Sequence, residues 1–425
     1  MAVYMDAAEC RDSFRSWLVV FGAALALFCT VGFVNAFGVF QEYYMENLEG
    51  YSASDISWIG SVSLFVFYAG SAFIGILVDR IGPAVPLYVG SIAELVAVFM
   101  TSLCTEYYQI FLAQAVLLGI SMALIINPSL AVVSRRLARR RGLALGLVLG
   151  GSSIGGVVWP IMLERLLSHD QVSFGWTLRA VAFTMIPLLA IACLTVKEAP
   201  EIPPSPSEMI SDGPEASQTE TQDEKPVKKK TDLSILKNPA FDLLCAGLAI
   251  GYLGLFAPTF YISSFAISNG VSSQLAFYLL SVYNAGSFFG RVLPGHWADR
   301  FGHFNICTLS VFVSGITGFC WISAKSPAGL TVWTLAYGFA SGAVMSLQGA
   351  CAGKVAGHHS QGTAVGLMIG SVAVTALVGT PIAGQLVDNY GYLALSMYTG
   401  ATLFAGGIVC AIARWKLDHS VFVVV

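Results

Sequence analysis

Long runs of apolar residues, separated by short polar breaks, follow one another along the chain. Each run is close to the 20 residues that a helix needs to cross about 30 Å of hydrocarbon. The pattern therefore predicts an all-α membrane protein with twelve transmembrane helices. The predicted spans are 17–40, 56–78, 84–104, 108–133, 142–164, 175–196, 240–266, 274–297, 304–323, 330–352, 361–387 and 392–415.

The longest polar break separates the sixth span from the seventh. Residues 197–237 contain six prolines and 15 charged residues, including Lys228, Lys229 and Lys230, and no long apolar run. This composition predicts a disordered linker, which we interpret as a tether rather than a regulatory segment. The predicted units are an N-terminus (1–16), a six-helix bundle (17–196), the linker (197–237), a second bundle (238–415) and a tail (416–425).

Composition excludes several classes of protein. The chain is 56% hydrophobic and 11% charged, which is far from the balance of a water-soluble domain. Nine scattered cysteines without a C-x-x-C pair predict neither disulfides nor a metal site, and no cofactor is expected. The sequence contains no paired catalytic carboxylates, no nucleophile elbow and no histidine cluster. Nothing in it therefore indicates an enzyme. The glycine-rich stretch 150–156 lacks the lysine of a phosphate-binding loop, and nothing indicates nucleic-acid binding.

Lysines and arginines are distributed unequally between the predicted loops. Twelve spans place both termini on one side, which also collects an arginine block before span five and the linker lysines. The opposite loops contain only Arg165 and Lys325 as basic residues. By the positive-inside rule the termini are cytoplasmic, and the plasma membrane is the expected location of this multi-pass protein. The block comprises Arg135, Arg136, Arg139, Arg140 and Arg141.

A Gly-x-x-x-Asp-Arg-x-Gly motif occurs twice at a lag of 220 residues, once after span two and once after span eight. Three glycines of span five recur in span eleven at the same lag. Two independent motifs with one lag indicate duplication, and six spans per half make the two halves parallel repeats. The motif residues are Gly75, Asp79, Arg80 and Gly82, then Gly295, Asp299, Arg300 and Gly302; the glycines are Gly142, Gly146 and Gly150, then Gly362, Gly366 and Gly370.

The charged pair of each motif suggests a role in gating. A carboxylate and a guanidinium at a helix end can cap that end and pair with a neighbouring helix, while the glycines permit close approach. Such contacts can form in one state of a rocking transporter and break in the other. Asp79, Arg80, Asp299 and Arg300 are therefore predicted gating residues, the alternative being that they anchor short loops.

This motif resembles the signature between spans two and three of the major facilitator superfamily, and the resemblance covers almost the whole chain. Two stretches are similar to its monocarboxylate porter branch, particularly the fungal members: Asp12, Trp17 and Gly22, and the segment from Gly142 to Pro160. The resemblance implies a secondary transporter of the major facilitator fold. Five positions depart from the branch: Ser13 stands for a glycine, Arg136 and Leu137 for a tyrosine-phenylalanine pair, Asn35 for a lysine, and Ser287 for an aspartate.

Arg291 is the leading candidate for the binding site. An arginine at membrane depth costs about 2.5 to 3.5 kcal/mol on insertion scales, so it usually faces a cavity or a partner. Its guanidinium can hold a carboxylate through two parallel hydrogen bonds. The alternative is a structural ion pair with Glu94, the acid deep in span three.

Four further polar residues are predicted at mid-membrane on spans whose family counterparts line the cavity: Asn35, Asn127, Tyr283 and Asn284. They are candidates for contact with substrate or, equally, for hydrogen bonds between helices, which contribute about 0.6 kcal/mol each. Because the branch's lysine and aspartate are absent, transport is expected either to be uncoupled from protons or to use another acid, with Glu94 as the candidate.

The expected function is alternating-access transport of a small-molecule substrate across the lipid bilayer. Arg291 favours a monocarboxylate or related organic anion. The missing lysine and aspartate favour a larger metabolite, such as a vitamin or a fungal secondary metabolite. A nutrient sensor that binds without transporting is a third possibility, and it is disfavoured because only about ten residues follow the last span. An accessory protein is neither indicated nor excluded.

Overall fold

The computed structural model describes residues 14–48, 50–170, 172–198, 234–356 and 360–418. Ten helical segments in these ranges are long and apolar enough to cross a membrane. One of them, Gln361–Leu417, contains two helices, because Gly391 has a φ of +75° that interrupts it. Helix Ser273–Phe301 has the required length but carries more polar residues. The described ranges therefore contain twelve helices of spanning length.

The helices follow the chain as two sets of six. In the first set are α1 (Phe14–Asn47), α2 (Ala53–Ile81), α3 (Ala84–Thr101), α4 (Tyr107–Arg136), α5 (Arg141–Glu164) and α6 (Phe174–Thr195). In the second set are α7 (Pro239–Ser268), α8 (Ser273–Phe301), α9 (His303–Phe319), α10 (Pro327–Val355), α11 (361–390) and α12 (392–417).

Local sequence explains where several helices begin. Ser52 and Asp55 form a reciprocal capping box at the start of α2. Asn238 and Ser326 cap α7 and α10 through their side-chain oxygens, each directly before a proline whose missing N–H costs nothing at that position. Helix α1 is interrupted near Thr30 and Asn35, which places a kink at its centre.

Several helices are longer than the apolar runs predict. Helix α1 continues to Asn47 rather than residue 40, and α10 occupies Pro327–Val355 rather than 330–352. The hydrocarbon core limits only the apolar part of a spanning helix, and backbone hydrogen bonding favours its continuation into the polar interface. Most of the predicted linker, together with Asp12, Ser13 and residues 419–425, lies outside the described residues.

The two halves meet along two helix pairs, α5 with α8 and α2 with α11. Within the first half, α1 packs on α5 and α6, while α4 packs on α2 and α3. Within the second half, α8 packs on α10, and α9 packs on both α10 and α12. This arrangement confirms the predicted fold class of two parallel six-helix repeats.

Candidate functional site

The carboxylate of Asp79 joins the two halves at the ends of α2 and α11. Its oxygens accept hydrogen bonds from the backbone N–H groups of Gly362 (3.0 Å) and Thr363 (2.6 Å). These residues follow Gln361, the first residue of α11, so their N–H groups have no acceptor within the helix. Asp79 therefore caps a helix of the opposite half, and its negative charge lies at the positive end of that helix dipole.

Asp299 makes the equivalent contact on the other helix pair. It accepts hydrogen bonds from the backbone N–H groups of Gly142 (2.7 Å) and Leu143 (2.9 Å), at the start of α5. Both the aspartates and the N–H groups that they bind are related by the 220-residue lag. We call these two contacts the paired latches. They lie on the side of the bundle where α1 begins and α12 ends, which we call the terminal side.

The structure corrects the predicted placement of the charged motif. Asp79 and Asp299 lie in the last turn of α2 and α8 rather than in loops, and each helix stops at a glycine with positive φ, Gly82 (+85°) and Gly302 (+95°). The motif arginines Arg80 and Arg300 are exposed.

Different side chains lie beside the two latch aspartates. Arg135, at the end of α4, forms ion pairs with both Asp79 and Glu198, and Arg136 donates to the Glu198 backbone carbonyl at 2.9 Å. Beside Asp299, the Nε2 atom of His303 lies 3.2 Å from the carboxylate. The latches thus share their helix-capping contacts but differ in the side chain beside the carboxylate, a guanidinium at Asp79 and an imidazole at Asp299.

Glycines allow the halves to approach closely at the latches. A Cβ atom on Gly75 would lie 2.8 Å from the Cα of Gly366, and one on Gly295 would lie 2.9 Å from the Gly142 carbonyl carbon. Both distances are shorter than real Cβ contacts, so a side chain at either position would separate the helices. The repeated glycines predicted as markers of duplication therefore also permit the latches to close.

Arg291 lies on α8 in the interface between the halves and is 4% exposed. Its Nη1 group donates to the Leu149 carbonyl oxygen at 2.6 Å and to the Ser152 hydroxyl, both on α5 of the opposite half. Its Nη2 group contacts the Met345 sulfur at 3.3 Å, and its Nε has no hydrogen-bond partner. Among the described residues, only neutral groups therefore contact this buried cation.

Tyrosines from three helices surround the approach to Arg291. The groups that act on it electrostatically are Tyr68 of α2, Tyr252 of α7 and Tyr283 of α8, with no carboxylate among the described residues that do so. Tyr68 and Tyr252 pack edge to face at 6.0 Å, and the Tyr252 hydroxyl donates to Gln348 at 3.0 Å. A positive charge bordered by aromatic rings and neutral polar groups suits a planar organic anion.

Glu94 occupies a separate place within the first half. It is fully buried on α3, where one carboxylate oxygen binds the Ser121 hydroxyl of α4 and Oε1 has no partner. The alternative of an Arg291–Glu94 ion pair is wrong for this conformation, because each charged group has different neighbours. Among the described residues, no carboxylate lies beside Arg291 and no basic side chain binds Glu94.

The predicted polar contacts have different environments. Asn127 is fully buried, and its Nδ2 donates to the Ser71 hydroxyl (3.0 Å) and to the Ala123 carbonyl (2.9 Å), so these bonds lie within the first half. Asn284 reaches across the halves to the Gly156 carbonyl at 3.4 Å. Asn35 lies half-buried at the kink of α1.

Three contributors to the site escaped prediction. Ser152 lies in the glycine-rich stretch 150–156 and was not among the predicted site residues, although its hydroxyl binds Arg291. Tyr68 was not distinguished from the other tyrosines of the spans. Gln361 starts α11 and accepts a hydrogen bond from the Ser134 hydroxyl at 2.8 Å, a further contact between the halves. The 220-residue lag offered a signal for the capped residues, since Gly142 and Gly362 recur with the same spacing as the aspartates.

Two duplicated six-helix bundles, joined by helix-capping contacts on one side and with a buried arginine between them, are the architecture of a secondary transporter. The chain belongs to the Major Facilitator Superfamily, whose sequence pattern matches residues 23–374. The family consists of membrane transporters rather than enzymes, so the chain is a multi-pass membrane transporter of a small-molecule substrate.

Curated relatives cover almost the whole chain. An MFS-type transporter of Aspergillus fumigatus is 52% identical, over 96% of this chain and 94% of its own length. The agnestins efflux protein AgnL12 of Paecilomyces divaricatus is 45% identical, over 96% and 89%. The aspyridones efflux protein apdF of Emericella nidulans is 35% identical, over 96% and 81%.

Solved structures share the fold. The human organic anion transporter MFSD10 has a TM-score of 0.67 and 13% identity, and the Escherichia coli fucose:proton symporter FucP has a TM-score of 0.65 and 14% identity. Each comparison covers 93% of this chain and 98% of the other. At these identities the comparisons establish the architecture alone.

Proposed function

We propose that this transporter exports a secondary metabolite that carries an acidic group. The observation that supports this proposal is Arg291, a buried cation between the halves whose partners among the described residues are all neutral. A charged side chain buried in a membrane protein is costly, and it usually faces a binding cavity or a partner group. A substrate carboxylate or enolate would supply the missing negative charge through charge-assisted hydrogen bonds.

The larger metabolite is favoured over the small monocarboxylate that the sequence resemblance suggests. Two relatives that match this chain over 96% of its length are named as efflux proteins, for agnestins and for aspyridones. Asn35 and Ser287 also stand where lactate carriers have charged residues. Tyr68, Tyr252 and Tyr283 add aromatic surface beside Arg291, which is useful for a ring-containing substrate.

The paired latches support a gating role for Asp79 and Asp299 in this proposal. In the described conformation, both aspartates bind helix ends across the interface, so the terminal side is closed. Release of both latches would let the halves rock apart and open that side. The surplus of arginines there supports its assignment to the cytoplasm, and we propose the plasma membrane as the location.

Glu94 is the proposed site of proton coupling. The Ser121 hydroxyl has one proton but lies within hydrogen-bond distance of two acceptors, a Glu94 oxygen and the Leu118 carbonyl at 2.7 Å. Both bonds can exist together only if Glu94 contributes a proton. This geometry supports a neutral Glu94 in the closed conformation and exchange of its proton in another state.

Flux measurements test the anion site. Proteoliposomes would be screened with radiolabelled aromatic carboxylic acids and their neutral methyl esters. Arg291→Ala should reduce transport of the acids about 10- to 150-fold, which corresponds to about 1.5 to 3 kcal/mol for a lost charged hydrogen bond, and should spare the esters. Arg179→Ala is the matched control, because that arginine packs over Trp176 within α6. Undiminished acid transport by Arg291→Ala would contradict the proposal.

A further inference from the structure

Arg291 binds the opposite half in the closed conformation. Its Nη1 group lies between the Leu149 carbonyl oxygen and the Ser152 hydroxyl, and the hydroxyl itself donates to the same carbonyl at 2.8 Å. Ser152 is fully buried, and Arg291 is nearly so. A substrate anion that bound this guanidinium would therefore have to compete with two acceptors supplied by α5.

The duplicated interface has no equivalent of this contact at the corresponding positions. At the 220-residue lag, Arg291 corresponds to Ser71 of α2, and Ser152 corresponds to Val372 of α11, which is fully buried. The Ser71 hydroxyl bonds within the first half, to Phe67 and Asn127. Both interfaces retain an aspartate latch, but the residue equivalent to Arg291 is a serine whose printed hydrogen bonds lie within its own half. The asymmetry separates this contact from the gate itself.

We propose that Leu149 and Ser152 form an internal competitor that expels the substrate anion from Arg291 when the terminal side closes. The inference rests on the proposed function, because it takes Arg291 as the anion ligand. Helices α5 and α8 belong to different halves, so opening of the terminal side removes both acceptors from the guanidinium. Arg291 is then free to bind an anion from that side.

Closure reverses this situation. The latches bring Leu149 and Ser152 back to Arg291, and the two neutral acceptors replace the anion's oxygens before the opposite side receives the substrate. The guanidinium therefore has high anion affinity when the terminal side is open and low affinity when it is closed. This difference promotes release of the anion after the terminal side closes, a step that export requires if that side is cytoplasmic. Ser152 acts in this scheme as a positioning residue, since it touches Arg291 rather than the substrate.

Equilibrium binding of tritiated 2-naphthoate to the full-length protein in nanodiscs tests the competitor. This probe has a carboxylate and an aromatic ring. Ser152→Ala should lower its dissociation constant about tenfold and slow its turnover in vesicles, because one competing acceptor is lost. Ser153→Ala is the matched control, since that neighbouring hydroxyl is equally buried and has no hydrogen-bond partner. A structural role for Ser152 would predict weaker binding, not tighter binding.

A second variant covers the case in which Ser152→Ala misfolds. Asp79→Asn combined with Asp299→Asn weakens both latches without touching the anion site, and it should also tighten 2-naphthoate binding. Tighter binding that disappears in Arg291→Ala supports the competitor. A different result would overturn the competitor but leave the anion site intact. In that case 2-naphthoate binding depends on Arg291, but its affinity is unchanged both in Ser152→Ala and in the double aspartate variant. Binding that is absent throughout, or independent of Arg291, overturns the proposed function as well.

Discussion

Loss of the paired latches should shift the transporter towards a conformation that is open on the terminal side. The perturbation is Asp79→Asn together with Asp299→Asn, which keeps the size of each side chain. An asparagine oxygen can still accept one N–H, but its NH₂ group faces the other N–H and cannot accept it. The change therefore removes one hydrogen bond and the negative charge from each helix start.

The structure allows the size of this shift to be approximated. Each aspartate accepts two backbone N–H groups at 2.6 to 3.0 Å. Loss of a helix cap costs about 0.5 to 2 kcal/mol, and loss of a charge at a helix start costs about 0.3 to 2 kcal/mol. With about 1 to 2 kcal/mol per latch and approximate additivity, the ratio of closed to open molecules should fall about 30-fold to several-hundred-fold.

Distance measurements between spin labels report this ratio. Labels at Arg139 and Phe301, both exposed, would lie on opposite halves beside the Asp299 contact, with exposed Cys320 replaced by serine. The unaltered latches should give one short distance, and the double variant should add a longer population. Asp388→Asn, an exposed acid at the far end of α11, is the control. A single short distance in the double variant would refute the gating role.

Three further variants test separate parts of the structure. Gly362→Ala should abolish transport in a folded protein, because the added Cβ would lie 2.7 Å from an Asp79 oxygen. Vesicle flux at the rate of the unsubstituted protein would show that the close approach of α2 and α11 is unnecessary. Glu94→Gln should remove the response of flux to an imposed pH gradient while 2-naphthoate binding persists, and an undiminished response would exclude coupling through Glu94. Asn127→Leu should change thermal stability by no more than about 1 kcal/mol and spare transport, because its donated bonds lie within one half. Lost flux in a stable Asn127→Leu protein would instead place Asn127 in the substrate path.

The sequence was sufficient for the architecture because the membrane leaves few alternatives. Apolar runs of about 20 residues must become helices in hydrocarbon, since each backbone polar group needs an internal partner. The 220-residue lag then related the two halves. The same lag related Asp79 to Asp299 and Gly142 to Gly362. In the structure, Asp79 binds Gly362 and Asp299 binds Gly142.

The contacts themselves depended on tertiary structure. Sequence spacing could not show that the aspartates cap helices of the opposite half, because the partners of Asp79 lie more than 280 residues further along the chain. It also left open an ion pair between Arg291 and Glu94, whereas packing places the two residues among different neighbours.

The sequence by itself thus determined the number of helices, their duplication and the presence of a buried arginine. These properties follow from local periodicity and from the cost of charge in a membrane. Only the tertiary structure decided which half accepts hydrogen bonds from Arg291 and which helix starts the aspartates cap. Those choices depend on how closely α2, α5, α8 and α11 approach one another, a property of the packed halves that no local sequence pattern encodes.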